Sequence, residues 1–248
     1  MKLKIVPQKE KITNQWTIEK VATEYPPQSW ENVFENAKHE IKDISDILQE
    51  DERNFGEIMP NKCDIFKAFW NTNLTSVKVV IFGQDPYPNK LPDGRPQATG
   101  MAFSVPRASP IPSSLKNIFK ELSSSVEGFQ YSNHGDLTNW SIQGVLMLNS
   151  CLTVRENSPG SHKEIWNGFI KKVINAILEV NPSCIFVAWG KHAQNITSKF
   201  VGERATVLES SHPSGLSSYR GFIGCKHFSE INSILTSKGF KPIDWNLY

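Results

Sequence analysis

Three features of the sequence predict an α/β fold, a three-layer α/β/α sandwich around a central, mainly parallel four-stranded sheet. Strand candidates recur at residues 77–82, 145–148, 184–189 and 205–208. Helix candidates fall between and after them, at 114–126, 165–180, 191–200 and 226–237. Alternation of this kind implies a parallel sheet covered by helices. The first strand candidate, Val77-Lys78-Val79-Val80-Ile81-Phe82, is a near-continuous apolar, β-branched run, the pattern of a strand buried on both faces.

Residues 1–28 are polar, carry Pro26-Pro27, and read as an arm leading into a single domain at 29–248. From Ser29, a reasonable N-cap, a helical period places Trp30, Val33, Phe34, Ala37, Ile41, Ile44 and Leu48 on one face. A second helix is expected over 61–70, with Ile65, Phe66 and Phe69 turned inward. The 165–180 helix is strongly amphipathic, through Ile165, Phe169, Val173, Ile174, Ile177 and Leu178. The chain shows no internal repeat, low-complexity segment or linker.

At 248 residues the chain can bury a sizeable core, and its composition is that of a globular protein. A formal net charge of +2 neither demands nor excludes nucleic acid; any such binding would come from local donors, not a basic coat. Cys63, Cys151, Cys184 and Cys225 are widely spaced, without a metal-ligand pattern, and read as free thiols in a reducing compartment. No apolar run has the length of a signal peptide at the N-terminus or of a bilayer span elsewhere. An intracellular, soluble protein is expected, cytoplasmic or nuclear according to host.

The residues just beyond each strand point to function. The first strand ends in Gln84-Asp85-Pro86-Tyr87, the second in Asn149-Ser150, the third in Gly190-Lys191-His192 and the fourth in Ser210-Ser211-His212-Pro213-Ser214. Carboxyl ends of parallel strands open on one edge, so a carboxylate, an amide, a phenol and an imidazole converge on one crevice. Singly, each has a structural explanation: Asp85 a helix cap, Asn149 a turn residue, His212 a satisfied structural histidine. Together they favour a site. Pro86 and Pro88 hold Asp85 and Tyr87 in extended geometry. Phosphate-binding glycine loops, metal-ligand spacing and a nucleophile elbow are all missing. One acid with no evident second carboxylate argues against the paired-carboxylate glycosidase arrangement. An acid with an electrophilic histidine suits a dissociative cleavage, and an Asn amide suits reading a planar base edge.

Gly83-Gln84-Asp85-Pro86-Tyr87-Pro88, Gly100-Met101-Ala102-Phe103-Ser104-Val105-Pro106, Val145-Leu146-Met147-Leu148-Asn149-Ser150 and His212-Pro213-Ser214-Gly215-Leu216-Ser217 resemble the motifs of family 1 uracil-DNA glycosylases. So do Ile111-Pro112-Ser113-Ser114-Leu115, Asn133-His134-Gly135, Trp189-Gly190-Lys191-His192-Ala193-Gln194 and Pro242-Ile243-Asp244-Trp245. They keep the family's order over roughly residues 55–248. The resemblance implies a cofactor-free, metal-free DNA repair hydrolase of base excision repair, which flips uracil from single- or double-stranded DNA and releases it, leaving an abasic site. It implies that Asp85 orients water and stabilises an oxocarbenium-like sugar, and that His212 hydrogen-bonds uracil O2. It further implies uracil-edge contacts at Gln84 and Asn149, stacking on Phe103, and a wall at Tyr87 against the thymine methyl. Leu216 is implied as the wedge in the base stack, Ser113 and Ser214 as phosphate clamps, and Arg220 as a DNA contact. Lys191, where a small serine is common, is either a phosphate contact or simply solvated. A monomer is expected, with replication or repair partners reached through the N-terminal segment. The alternative is a catalytically weak DNA-binding accessory of replication with the same fold.

The chain departs from the family pattern in places. Pro88 stands where His is common, removing an imidazole near Asp85 and stiffening the turn. Gly215 stands where Pro is common, loosening the loop that carries Leu216. The segment 89–99 is long and polar, with a turn expected at Pro92-Asp93-Gly94.

Overall fold

The protein is described by a computed structural model covering residues 12, 13 and 15–248; residues 1–11 and 14, part of the stretch read as an arm, lie outside the described residues. In chain order the elements are α1 (Ile18–Glu24), α2 (Glu31–Asn36), α3 (Lys38–Phe55), β1 (Ile58–Met59), α4 (Lys67–Asn71), β2 (Val79–Gly83), α5 (Ser113–Ser125) and α6 (Thr138–Ser141). They continue with β3 (Val145–Asn149), β4 (Val154–Arg155), α7 (Asn167–Val180), β5 (Ile185–Trp189), α8 (Lys191–Phe200), β6 (Thr206–Ser210) and α9 (His227–Ser237).

The four expected strands form one sheet in the order β3-β2-β5-β6, and every neighbouring pair is parallel. All residues of β2, β3 and β5 are buried. Side chains alternate between faces along a strand, so burial of every position means that both faces are covered. Edge strand β6 is only partly buried. Helices are fastened to one another by aromatic edges: Phe34 of α2, Phe69 of α4 and Phe169 of α7 meet near-perpendicularly with centroids 5.3 to 5.7 Å apart, the favourable edge-to-face arrangement.

Three local expectations are corrected. The helix expected from Ser29 is two helices, α2 and α3, joined at the fully buried Ala37. Ser29 caps neither, because its Oγ accepts the Leu74 N–H at 2.8 Å, a long-range partner that competes with the helix start. The helix expected over 61–70 begins only at Lys67; before it, Asp64 N–H to Asn61 O and Lys67 N–H to Asp64 O make tight three-residue turns. Apolar spacing of three or four places Ile65, Phe66 and Phe69 inward in either geometry, so the pattern cannot separate them. Finally, the stretch 1–28 is not wholly an arm. Helix α1 lies within it, buries Ile18, Val21 and Ala22, and donates Glu19 N–H to Ser45 of α3 at 3.3 Å.

The expected turn at Pro92-Asp93-Gly94 forms, closed by Gly94 N–H to Leu91 O at 2.9 Å. The two-residue strands β1 and β4 pair antiparallel, Ile58 with Arg155 and Met59 with Val154; they are too short to leave a periodic signal. No disulfide joins the four cysteines among the described residues. Burial pushes the Cys151 thiol up to about 12 and that of Cys225 up to about 11, leaving both protonated near neutrality. No helix among the described residues is long and apolar enough to cross a membrane.

Candidate active site

The parallel register sets the site. Gly83 and Asn149 are partners at the carboxyl ends of β2 and β3, and the chain turns away from the sheet immediately after each. Two hydrogen bonds carry the pairing one step further, Ser150 N–H to Gly83 O at 3.0 Å and Cys151 N–H to Gln84 O at 2.9 Å. Only glycine fits at 83: an added Cβ would lie 2.2 Å from Asn149 Oδ1 and 2.8 Å from Ala102 Cβ. Gly190, at the end of β5, has φ +87° and would press a Cβ to 2.8 Å from that of His212. Two small residues thus let the strand ends close around a cavity of about 220 Å³. That is below the ~300–1,000 Å³ typical of sites for drug-sized ligands, and suits a single small ring.

Six residues singled out from sequence line this cavity: Gln84, Asp85, Tyr87, Phe103, Asn149 and His212. Asp85 Oδ2 accepts the Gly160 N–H at 2.6 Å, a short charge-assisted bond. Asn149 is 5% exposed, and its amide has no hydrogen-bond partner among the described residues, which leaves donor and acceptor for a ligand. Phe103 holds a left-handed backbone, φ +62°, that a bulky side chain adopts at a cost of about 1–3 kcal/mol. It is held there by its neighbours: Ala102 N–H bonds Met147 O of β3, and the Ser104 hydroxyl oxygen accepts Leu137 N–H. The Phe103 ring consequently lies 5.9 Å from the His212 ring and 5.8 Å from Trp189. Tyr87 donates its hydroxyl to Phe103 O at 3.4 Å, and burial pushes its phenol far above the ordinary value, so it remains neutral.

His212 Nδ1 accepts the Ser214 N–H at 3.0 Å, so Nδ1 is unprotonated and the proton sits on Nε2. Burial pushes its pKa down, favouring the same neutral form. The loop beyond it is tied at its base: Ser217 Oγ donates to His212 O at 2.9 Å, and Asn117 Nδ2 of α5 to Pro213 O at 2.8 Å. Ser214 lies in this tied base, 2.8 Å from Ser217 through their hydroxyls. Leu216 projects from it with 86% of its surface exposed, more than any other large apolar side chain among the described residues. Arg220, also exposed, lies over the ring of Tyr219, itself 69% exposed. Lys191 lines a smaller adjoining cavity of about 140 Å³ together with Gln84, His192 and His212.

The structure gives further residues here contacts that the sequence did not show. Ser113 opens α5 in solvent, and its neighbour Ser114 is the one that lines the main cavity. His192 Nε2 lies 2.6 Å from Ser150 Oγ, which in turn donates to Gln84 O at 3.0 Å. Ser150 has one hydrogen, so His192 Nε2–H is the donor in that pair. Burial lowers the His192 pKa, the Lys163 ammonium lowers it further, and Asp85 opposes both. Gly160 and Pro159 reach the cavity from a loop between β4 and α7 with no apolar period to flag it. Pro88 lines the cavity, and its carbonyl accepts Asn157 N–H at 2.9 Å from that same loop.

A model of the uracil DNA glycosylase superfamily matches residues 69–236, from α4 into α9. This chain belongs to the uracil-DNA glycosylase superfamily. A curated uracil-DNA glycosylase of Francisella tularensis subsp. novicida is 43% identical over 222 residues, spanning 88% of this chain and 99% of that protein. The crystal structure of mimivirus uracil-DNA glycosylase superposes with a TM-score of 0.84 at 28% identity, covering 98% of each chain. A mimivirus UNG variant in complex with UGI superposes with a TM-score of 0.87 at 30% identity, over 94% of this chain and 92% of that one. The glycosylase likeness therefore extends over the whole sheet, the cavity and the Leu216 loop. Among the described residues, no group of three or more His, Cys, Asp or Glu side chains is placed to hold a metal ion.

Proposed function

We propose that this chain excises uracil from DNA by flipping the nucleotide into the 220 Å³ cavity and hydrolysing its N-glycosidic bond. The observation that carries this reading is the convergence of Asp85, Asn149, Phe103 and His212 on one small cavity in a member of a superfamily of uracil-DNA glycosylases. Phe103 supplies the stacking face for the base. The unpartnered Asn149 amide reads the N3 and O4 edge of uracil, which turns cytosine away, and Gln84 contacts the same edge. As the C1′–N1 bond breaks, its electrons pass to the base, and His212 Nε2–H stabilises the charge growing on O2 without surrendering its proton. Asp85 stabilises the cationic sugar, orients a water against C1′ and takes the proton that water releases. The products are an abasic site and the uracil anion, which becomes free uracil when the proton taken by Asp85 is returned to it through solvent.

Leu216 fills the gap left in the stack, while Ser113, Ser214, Lys191 and Arg220 contact the DNA backbone, a mode that needs no large net charge. We assign the protein to the intracellular space as a monomer acting on single- and double-stranded DNA, with its N-terminal segment available to replication or repair partners. Uracil release from single- and double-stranded uracil-containing DNA tests the reading. DNA binding without release from either would overturn it.

Two substitutions probe specificity and the wedge. Tyr87 lines the cavity wall, its hydroxyl 3.4 Å from Phe103 O. Tyr87→Ala should open room for a C5 methyl and allow measurable thymine release, cutting the uracil-over-thymine ratio of kcat/KM by at least ~10-fold. An unchanged ratio would remove Tyr87 from this role. At Gly215, an added Cβ meets nothing within 4 Å and the backbone is outside the left-handed region. Gly215→Pro should therefore tighten DNA binding by about two- to fivefold, because a stiffer free loop loses less entropy on ordering. Equal or weaker affinity in a titration of labelled duplex would contradict this.

A further inference from the structure

The Asp85 carboxylate is held by a loop that is itself anchored on an ion pair outside the cavity. The loop runs from Arg155 at β4 to His162. It touches the catalytic turn at two points, Gly160 N–H to Asp85 Oδ2 at 2.6 Å and Asn157 N–H to Pro88 O at 2.9 Å. Both ends of the loop converge on Asp51 of α3. Arg155 grips the Asp51 carboxylate through Nε at 3.0 Å and through Nη2, and His162 Nε2 lies 3.0 Å from Asp51 Oδ2. The Arg155 guanidinium also covers the Phe55 ring at 4.0 Å.

Asp51 accepts, so His162 carries its hydrogen on Nε2. In the neutral ring His162 Nδ1, 3.1 Å from Thr153 Oγ1, accepts the threonine hydroxyl, and that oxygen accepts Trp166 Nε1–H at 2.8 Å. Every donor in the chain Trp166, Thr153, His162, Asp51 has one acceptor, and His162, Thr153 and Trp166 are nearly or fully buried. Buried, fully satisfied polar chains of this kind hold a single geometry. Within the loop, Ser161 Oγ accepts Arg155 N–H at 2.8 Å, linking the residue before His162 to the residue that starts the loop. Arg155 holds the Asp51 carboxyl below its ordinary range, so the anchor stays ionised near neutrality.

We infer that Asp51, Arg155 and His162 are positioning residues for the reaction: they fix the loop whose Gly160 N–H sets the direction of the Asp85 carboxylate. None of the three lines the cavity. The inference rests on the assignment of Asp85 as the acid that orients water. A donor at 2.6 Å fixes which carboxylate oxygen remains to face the water. Displacements of about 1 Å at such a group cost up to ~100-fold in rate, so a loosened anchor should act on kcat and leave DNA affinity alone.

The test uses the full chain with Asp51→Asn, which keeps the shape of the side chain and removes its charge, and His162→Gln as an independent variant. Single-turnover uracil release should slow about tenfold in each, with the Kd for duplex DNA within about twofold of the parent. The Gly160 amide proton, now bonded to Asp85 Oδ2 at 2.6 Å, should move upfield and exchange faster with solvent in both variants, a local change that mere loss of stability in a folded protein does not produce. An unmoved Gly160 amide resonance in a folded variant overturns the inference, whether or not the parent enzyme releases uracil. A parent that releases no uracil overturns the functional reading instead, so the two failures are distinguishable.

Discussion

Replacing Asp85 by asparagine should slow the release of uracil by ~10²- to 10⁴-fold while leaving the affinity for uracil-containing DNA within about twofold. The substitution keeps the size of the side chain and an oxygen able to accept the Gly160 N–H now bonded at 2.6 Å. It removes the negative charge that faces the cationic sugar and the base that takes the proton of water. Both are needed only as the glycosidic bond breaks, so the loss belongs to kcat. Rapid-quench single-turnover kinetics, alongside equilibrium binding to the same duplex, separate the two quantities. A variant retaining more than about a tenth of the parental rate would transfer the role of acid away from Asp85, although no other carboxylate among the described residues lines the cavity.

His212→Asn should cost ~10²- to 10³-fold in kcat, the range seen when one donor to a developing anion is lost. Asparagine is chosen because its Oδ1 can take over the bond that His212 Nδ1 accepts from Ser214 N–H at 3.0 Å. The loop bearing Leu216 thus keeps its first turn, and only the Nε2–H donor disappears. The pH dependence is set by the environment of the ring. Burial places the His212 pKa below the ordinary 6.5, so the neutral form and the Ser214 bond persist as pH falls through the range where an exposed histidine titrates. Below the lowered value the imidazolium has no lone pair for Ser214, and activity should fall. The stability sign agrees. The unfolded chain protonates this histidine first, so folding stability contributed at higher pH is lost as pH drops from 6.5 toward the folded-state value. A parental profile whose acid limb is unchanged in His212→Asn would assign that limb to another group.

The readable part of this site lay on strands and their immediate ends. The run from Val79 to Phe82 announced a buried strand by composition, and parallel connectivity put Asp85, Asn149, Lys191 and His212 on one edge. Residues whose role depends on contacts distant in sequence were not readable. Gly160 meets Asp85 across 75 residues, and Asp51 meets Arg155 across 104; neither leaves a local pattern. Ser113 and Ser114 show the same limit at its finest: adjacent identical residues differ only in the direction set by the first turn of α5.

What the sequence determined by itself was therefore the order of strands and helices, the polar groups at the strand ends and the family they belong to. These depend on hydrophobic period and on short motifs, both local in the chain. Only the tertiary structure decided that α1 joins the domain, that Ser29 serves Leu74 instead of a helix, that Phe103 holds a left-handed backbone, and that the loop at Gly160 grips Asp85. Each of these is settled by competition between partners far apart in sequence. A buried hydrogen-bonding group takes whichever satisfied partner the packed core brings to it.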